Sequence, residues 1–315
     1  MSSNKKQIFR ISIALSDVTK LKMIKGKLTD KALDKFVDCY GNILELLKVN
    51  VQVEAITALV QFYDSQLRCF TFQDIQLAPT LEEFDRILGF SKIKKEAYTG
   101  IWKVVKVVDF AKELRIPSTN LAVNYKADGD VQWIKRSFLE LQALSYAQKK
   151  QWETCRNCLA LLMFGVILFH KVIDYVDPAA INVFWTVKVL GADPTPTILA
   201  NIYYTIHNRC VKGKGMLFCC IHILYSWLTS HLYKENYLAK DLTRREWSQK
   251  LRTLSADFVL WYTRKLNIEE VIYKCGDFPN VTIIGMHGYI NYNLVLTLRH
   301  LGYPMNDKPS EDQIQ

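Results

Sequence analysis

Apolar residues in this chain recur mostly at spacings of three and four, the pattern of helices that bury one face. Leu33, Phe36, Val37 and Tyr40 set such a stripe on a helix opening after the capping candidates Thr29 and Asp30. Gly41 interrupts it before Ile43, Leu44, Leu46 and Leu47, and a second helix is predicted over Val53 to Phe62, giving a helical hairpin. One run stands out: Cys158 to Phe169, twelve residues without a charge. A helix crossing a bilayer needs about 20 apolar residues. The run therefore predicts the central, buried helix of a folded body, over about residues 152–173.

Period two appears once clearly, from Cys69 to Leu77, and predicts a strand ending at Ala78-Pro79. Thr80-Leu81-Glu82-Glu83 then reads as a capping box, with Leu81, Phe84, Ile87 and Leu88 as the buried stripe and Gly89 as the stop. Asp128-Gly129-Asp130 reads as a turn, after which Trp133, Ile134, Phe138, Leu141 and Leu144 predict a helix. Asp177-Pro178 starts a helix that Gly191 ends, and Asp193-Pro194 repeats the device ahead of Ile198, Leu199, Ile202, Tyr203 and Ile206. Lys212-Gly213-Lys214-Gly215 reads as a basic hinge before an apolar helix from Met216 to Leu232.

Thr243-Arg244-Arg245-Glu246 is a second capping box, opening a helix with Trp247, Leu251 and Leu254. Ser255 or Asp257 caps a further helix through Leu260-Trp261, and another is predicted over Ile268 to Tyr273. Val281 to Gly285 reads as a short strand, and Asn291 caps a last helix from Tyr292 to Leu301 that Gly302 and Pro304 end. The expected fold is mainly α: a single compact multi-helix domain over 28–305, with one or two short β-strand pairs. A partly ordered basic arm, 1–27, would precede it, and a disordered tail, 306–315, would follow.

Composition changes this picture little. Half of the 315 residues are hydrophobic, enough for a large core. The formal net charge of +10 suits an anionic partner, and equally a well-solvated surface. Eight cysteines scattered through apolar helical pattern read as reduced, buried thiols of an intracellular protein. With no signal peptide or membrane span in view, a nuclear or cytoplasmic protein that does not use a membrane is expected.

Candidate chemistry is sparse. Cys155-x-x-Cys158 is the one CxxC; Cys219, Cys220 and His222 could supply a second half of a zinc site, but adjacent residues on a helix point about 100° apart, and the buried-thiol reading is preferred. Lys212 to Gly215 lacks phosphate-loop spacing, no GxSxG is present, and the six histidines show no ligand spacing and read as caps or surface groups. Neither a metal nor a cofactor is implied, and catalysis is not favoured. Nucleic acid is the partner most compatible with the cations: Lys92, Lys94, Lys95, Lys103 and Lys106 with Trp102 interleaved, the basic arm, and Arg244 with Arg245. A nuclear protein partner remains an alternative.

Two long stretches carry a family resemblance. Leu67 through Phe84, and Cys275-Gly276-Asp277-Phe278-Pro279-Asn280-Val281 with Gly288 through Asn293 and Leu301 through Met305, resemble the aminotransferase-like plant mobile domain. Trp133, Phe138 and Leu139, the Asp177-Ala179-Ala180 helix start and Tyr203-Tyr204-x-Ile206-His207 fit the same picture, so the resemblance spans about residues 28–305. It implies a transposon-derived domain, some of whose relatives are nuclear and linked to transposon silencing. It carries over no catalytic residues, because the aminotransferase-like label has no established site behind it. An enzyme with an unrecognised site, or an inactive truncated copy, are the alternatives it leaves open.

Overall fold

The computed structural model describes residues 8–90, 92–93, 96–98, 105–128, 131–232, 241–259, 280–285 and 288–293. Strand β1 (Arg10–Ile13) leads into helices α1 (Thr19–Lys25) and α2 (Asp30–Tyr40), a 3-10 turn at Ile43–Lys48, and α3 (Val53–Leu59). Strands β2 (Tyr63–Asp64), β3 (Cys69–Thr71) and β4 (Gln76–Leu77) form an antiparallel meander ahead of α4 (Leu81–Leu88). Then come β5 (Glu96–Ala97), α5 (Val107–Leu114), α6 (Ser118–Val123), the hairpin β6 (Tyr125–Asp128) and β7 (Val131–Lys135), α7 (Arg136–Gln148) and α8 (Trp152–Met163). Strand β8 (Tyr175–Val176), α9 (Pro178–Trp185), β9 (Ala192–Asp193), α10 (Thr195–Lys212), β10 (Lys214–Leu217), α11 (Ile221–His231) and α12 (Arg244–Arg252) follow. The hairpin β11 (Asn280–Gly285) and β12 (Gly288–Asn293) completes the described elements.

The centre is where the uncharged run predicts it. Helix α8 continues as a wider π turn over Phe164–Leu168, and every residue from Cys158 to Phe169 is buried. It ends at Leu168, five residues short of the expected 173, because the chain must turn back so that β8 can lie against it. Gly165 makes that approach possible: a Cβ there would sit 2.7 Å from both methyls of Val176. One core runs from Ile11 to Val259, with Phe184 packing on Tyr40, Phe110 and Phe164 at ring distances of 6.0, 6.0 and 6.1 Å. Polar groups at the centre are paired: Tyr40 donates to Asn157 Oδ1 at 2.9 Å, and the Asn157 amide donates to the Glu113 carbonyl.

Both capping boxes form, in opposite surroundings. At α12, Glu246 is exposed and accepts from the Thr243 amide at 2.8 Å. At α4, Glu83 is 4% exposed and does more. Its Oε2 accepts from the Thr80 amide at 2.9 Å and from Trp227 Nε1 at 2.8 Å, while Oε1 meets His231 Nε2 at 2.9 Å. The box thereby ties α4 to α11.

Several local readings change. Cys69 to Leu77 is two strands, not one, because the Phe72 amide bonds back to the Ile75 carbonyl and reverses the chain between them. Trp133 and Ile134 belong to β7, paired with β6 and β8, so the helix begins only at Arg136 and buries Leu139, Ala143, Tyr146 and Ala147; Leu141 faces solvent. Lys214 to Leu217, read as hinge and helix start, is β10, pairing in parallel with β1 across the fold. Tyr292 and Asn293 are strand residues opposite Val281 and Asn280, so no helix starts there. His170, His222 and His231 are buried rather than surface groups.

The mainly α architecture stands, with five small sheets of two or three strands among the described residues. The basic arm is built into the body from β1 onward, with Ile11, Leu21 and Ile24 buried. The readings at Gly129-Asp130, Leu260-Trp261, 268–273, Cys275 to Pro279, His287, residues 294–305 and the tail 306–315 lie outside the described residues.

Candidate anion-binding cleft

Helix α10 is apolar along the side that meets α4, where Ile198, Leu199, Ile202 and Ile206 are buried and Tyr203 donates to the Pro79 carbonyl at 2.8 Å. A different face carries Asn201, Thr205, Asn208 and Lys212, at steps of four, three and four residues, which stack one above another on a helix. Tyr204 and Arg209 flank that row. This polar face forms one wall of a cleft of about 240 Å³.

The opposite wall is the segment after the central helix, Phe169, His170 and Lys171, together with Asp177 and Phe218. Its position follows from Gly165, since the close packing of the π turn on β8 sets where Asp177 emerges. Asp177 Oδ1 caps α9 by accepting from the Ala179 amide at 2.9 Å, and Oδ2 holds Lys171 Nζ at 3.5 Å. Three cations, Lys171, Arg209 and Lys212, thus line the same cleft as one carboxylate that is already engaged at both oxygens.

Arg209 is aimed by its neighbours. Its Nε donates to the Met216 carbonyl at 2.9 Å, and its side chain lies across Gly215. Gly215 sits at φ +117, a backbone region that side chains avoid, and a Cβ there would meet Arg209 Cδ at 3.1 Å and Nη1 at 3.2 Å. The glycine of the apparent hinge is therefore the bed of the guanidinium. Asn201 is 6% exposed and lines the cleft.

His170 borders the cleft beside Phe218, with ring centroids 6.2 Å apart, and Ser16 Oγ lies 2.9 Å from its Nδ1. Burial, and then the nearby Arg136 charge, lower the His170 pKa and favour the neutral ring, which accepts the serine proton in the tautomer with a bare Nδ1. Among the described residues no carboxylate bonds the other side of that ring.

Of the cations singled out individually from sequence, those that the structure describes are each exposed. Lys92 is exposed in a turn, Lys106 is exposed just before α5, and Arg244 and Arg245 are exposed in the first turn of α12. Lys94, Lys95, Trp102 and Lys103 lie outside the described residues. Sequence reasoning missed the row Asn201, Thr205, Asn208 and Lys212, although it is readable as a polar period interrupting an apolar helix. Cys155, Cys158, Cys219 and Cys220 are buried free thiols whose pKa values burial raises. Among the described residues no His, Cys, Asp and Glu cluster has metal-binding geometry, and no helix is long and apolar enough to cross a membrane.

A family model described as Domain of unknown function (DUF7745) matches residues 21–315. The chain belongs to that family. The DUF7745 match begins inside α1, so it takes in the central helix, both capping boxes and both walls of the cleft. No curated protein and no solved structure matches the chain.

Proposed function

We propose that this DUF7745 chain is a non-enzymatic nucleic-acid-binding domain that grips phosphates without reading sequence. The observation that carries the reading is the cleft beside α10, which Lys171, Arg209 and Lys212 line and whose single carboxylate is already spent on Lys171 and a helix cap. Lys92, Lys106, Arg244 and Arg245 supply further exposed positive charge, and the net charge of +10 favours approach to an anion. The resemblance to the plant mobile domain supports a transposon-derived, nuclear setting for such binding.

A salt titration of binding to single strands and duplex tests this. Each phosphate neutralised on a single strand contributes about −0.7 to the log-log slope, so the three cleft cations are expected to give about −2. R209A with K212A should flatten it by about 1.4. A slope near zero overturns the reading, and salt-sensitive binding to an acidic polypeptide but to no nucleic acid replaces it with a protein-binding one.

The Ser16–His170 pair supports a second reading, an esterase or related hydrolase with Ser16 as nucleophile and His170 as base. A fluorophosphonate probe that labels the protein but not S16A would favour it; equal labelling of both would end it.

A further inference from the structure

We infer that the cleft beside α10 admits one unpaired nucleotide, with its phosphate against Arg209, Lys212 and Lys171 and its base beside Asn201 and Phe218. The inference rests on the nucleic-acid reading above and narrows it to single strands. At about 240 Å³ the cleft lies below the range of roughly 300–1,000 Å³ that holds drug-sized ligands, so it takes one compact unit.

The walls of the cleft carry cationic, amide and aromatic groups together. Arg209 has its Nε committed to Met216, which leaves the Nη edge for the paired oxygens of a phosphate. Lys212, one helical turn further, and Lys171 opposite add point charges. Asn201, on the cleft wall and largely withdrawn from solvent, offers two donors and an acceptor, which suits the edge of a base. Asn208 has its amide nitrogen bound to the Tyr204 carbonyl at 2.8 Å, which leaves its oxygen to accept. Phe218 and Tyr204 present rings on which a base can stack.

A duplex cannot deliver this contact without unpairing. A base reaches Asn201 only after leaving its stack, which costs a few kcal/mol in a duplex and far less in a single strand. Preference for single strands therefore follows from the depth of the amide.

The test is fluorescence anisotropy of the full chain with an unstructured strand of about 12 nucleotides and with the matching duplex. The wild type should prefer the single strand by at least about tenfold, and N201A should weaken single-strand binding by about five- to tenfold while leaving duplex binding unchanged. A nucleoside monophosphate should compete at millimolar concentration, and the same nucleoside without phosphate should not. K212A changes an exposed side chain at the end of α10 and leaves the core untouched, so it should reduce both single-strand affinity and monophosphate competition if N201A proves poorly folded. Equal affinity for strand and duplex, with N201A and K212A like wild type, overturns the cleft while general binding stands. No binding to either nucleic acid at low salt overturns both.

Discussion

The two capping boxes provide an internal comparison of what burial does to one local motif. Glu83→Ala strands three donors, the Thr80 amide, Trp227 Nε1 and His231 Nε2, in a site where none can reach water. Each stranded group costs about 1–3 kcal/mol, so the loss from three of them should be about 3–5 kcal/mol after partial relaxation. Glu83→Gln keeps the volume and one acceptor oxygen, and should cost about 1–3 kcal/mol. Glu246→Ala removes the same kind of bond from the Thr243 amide, but water replaces it at once, so its effect should be a small fraction of the other. Urea unfolding followed by circular dichroism reads all three, with stability change separated from denatured-state change by the constancy of the slope. Glu83→Ala costing less than about 1 kcal/mol, or as little as Glu246→Ala, would refute the claim that this carboxylate clamps α4 to α11.

Three other outcomes follow from single sites. His222 is buried, and desolvation first, then the charges of Lys22 and His170, push its pKa down to about 4. A depressed folded pKa means that stability is complete above the unfolded value of about 6.5 and drains away as pH falls toward 4, by up to about 3 kcal/mol; His222→Phe should remove most of that acid limb in melts taken from pH 7 to 4. Glu82 Oε2 is buried without a partner, and desolvation raises its pKa. Its penalty is absent at low pH and grows as pH rises past the unfolded value, so Glu82→Gln should raise the melting temperature at pH 7 and lose that advantage near pH 4. Gly165→Ala should destabilise by about 1–3 kcal/mol through overpacking on Val176, despite alanine's better helix propensity, and Val176→Ala should restore much of the loss when combined with it.

What could be read from the sequence was what is decided locally. Thr80 with Glu83, Thr243 with Glu246, Asp177 ahead of Pro178, and Gly89 and Gly191 in left-handed geometry all depend on residues within a few positions of one another. The uncharged run needed no partner to announce its burial. Strands of two to five residues carry no such signature, because their pairing depends on distant chain: β7 needs β8, some 40 residues on, and β10 needs β1. Trp133 and Ile134 were therefore absorbed into the following helix, and its stripe slid onto Leu141 when Leu139 is the residue inside. The cleft was invisible for a related reason. Its polar row was legible on α10, but the wall that faces it depends on the approach of Val176 to Gly165, a contact that no periodicity encodes.

The pairing of Arg10–Ile13 with Lys214–Leu217 also bears on biosynthesis. Roughly 200 residues separate the two strands, and at about 5–20 residues per second a ribosome takes about 10–40 seconds to cover that distance. Throughout that interval the first strand has no mate, and the turn that seats the Arg209 guanidinium has yet to be translated. The edge beside the cleft thus closes only after the central helix has been made.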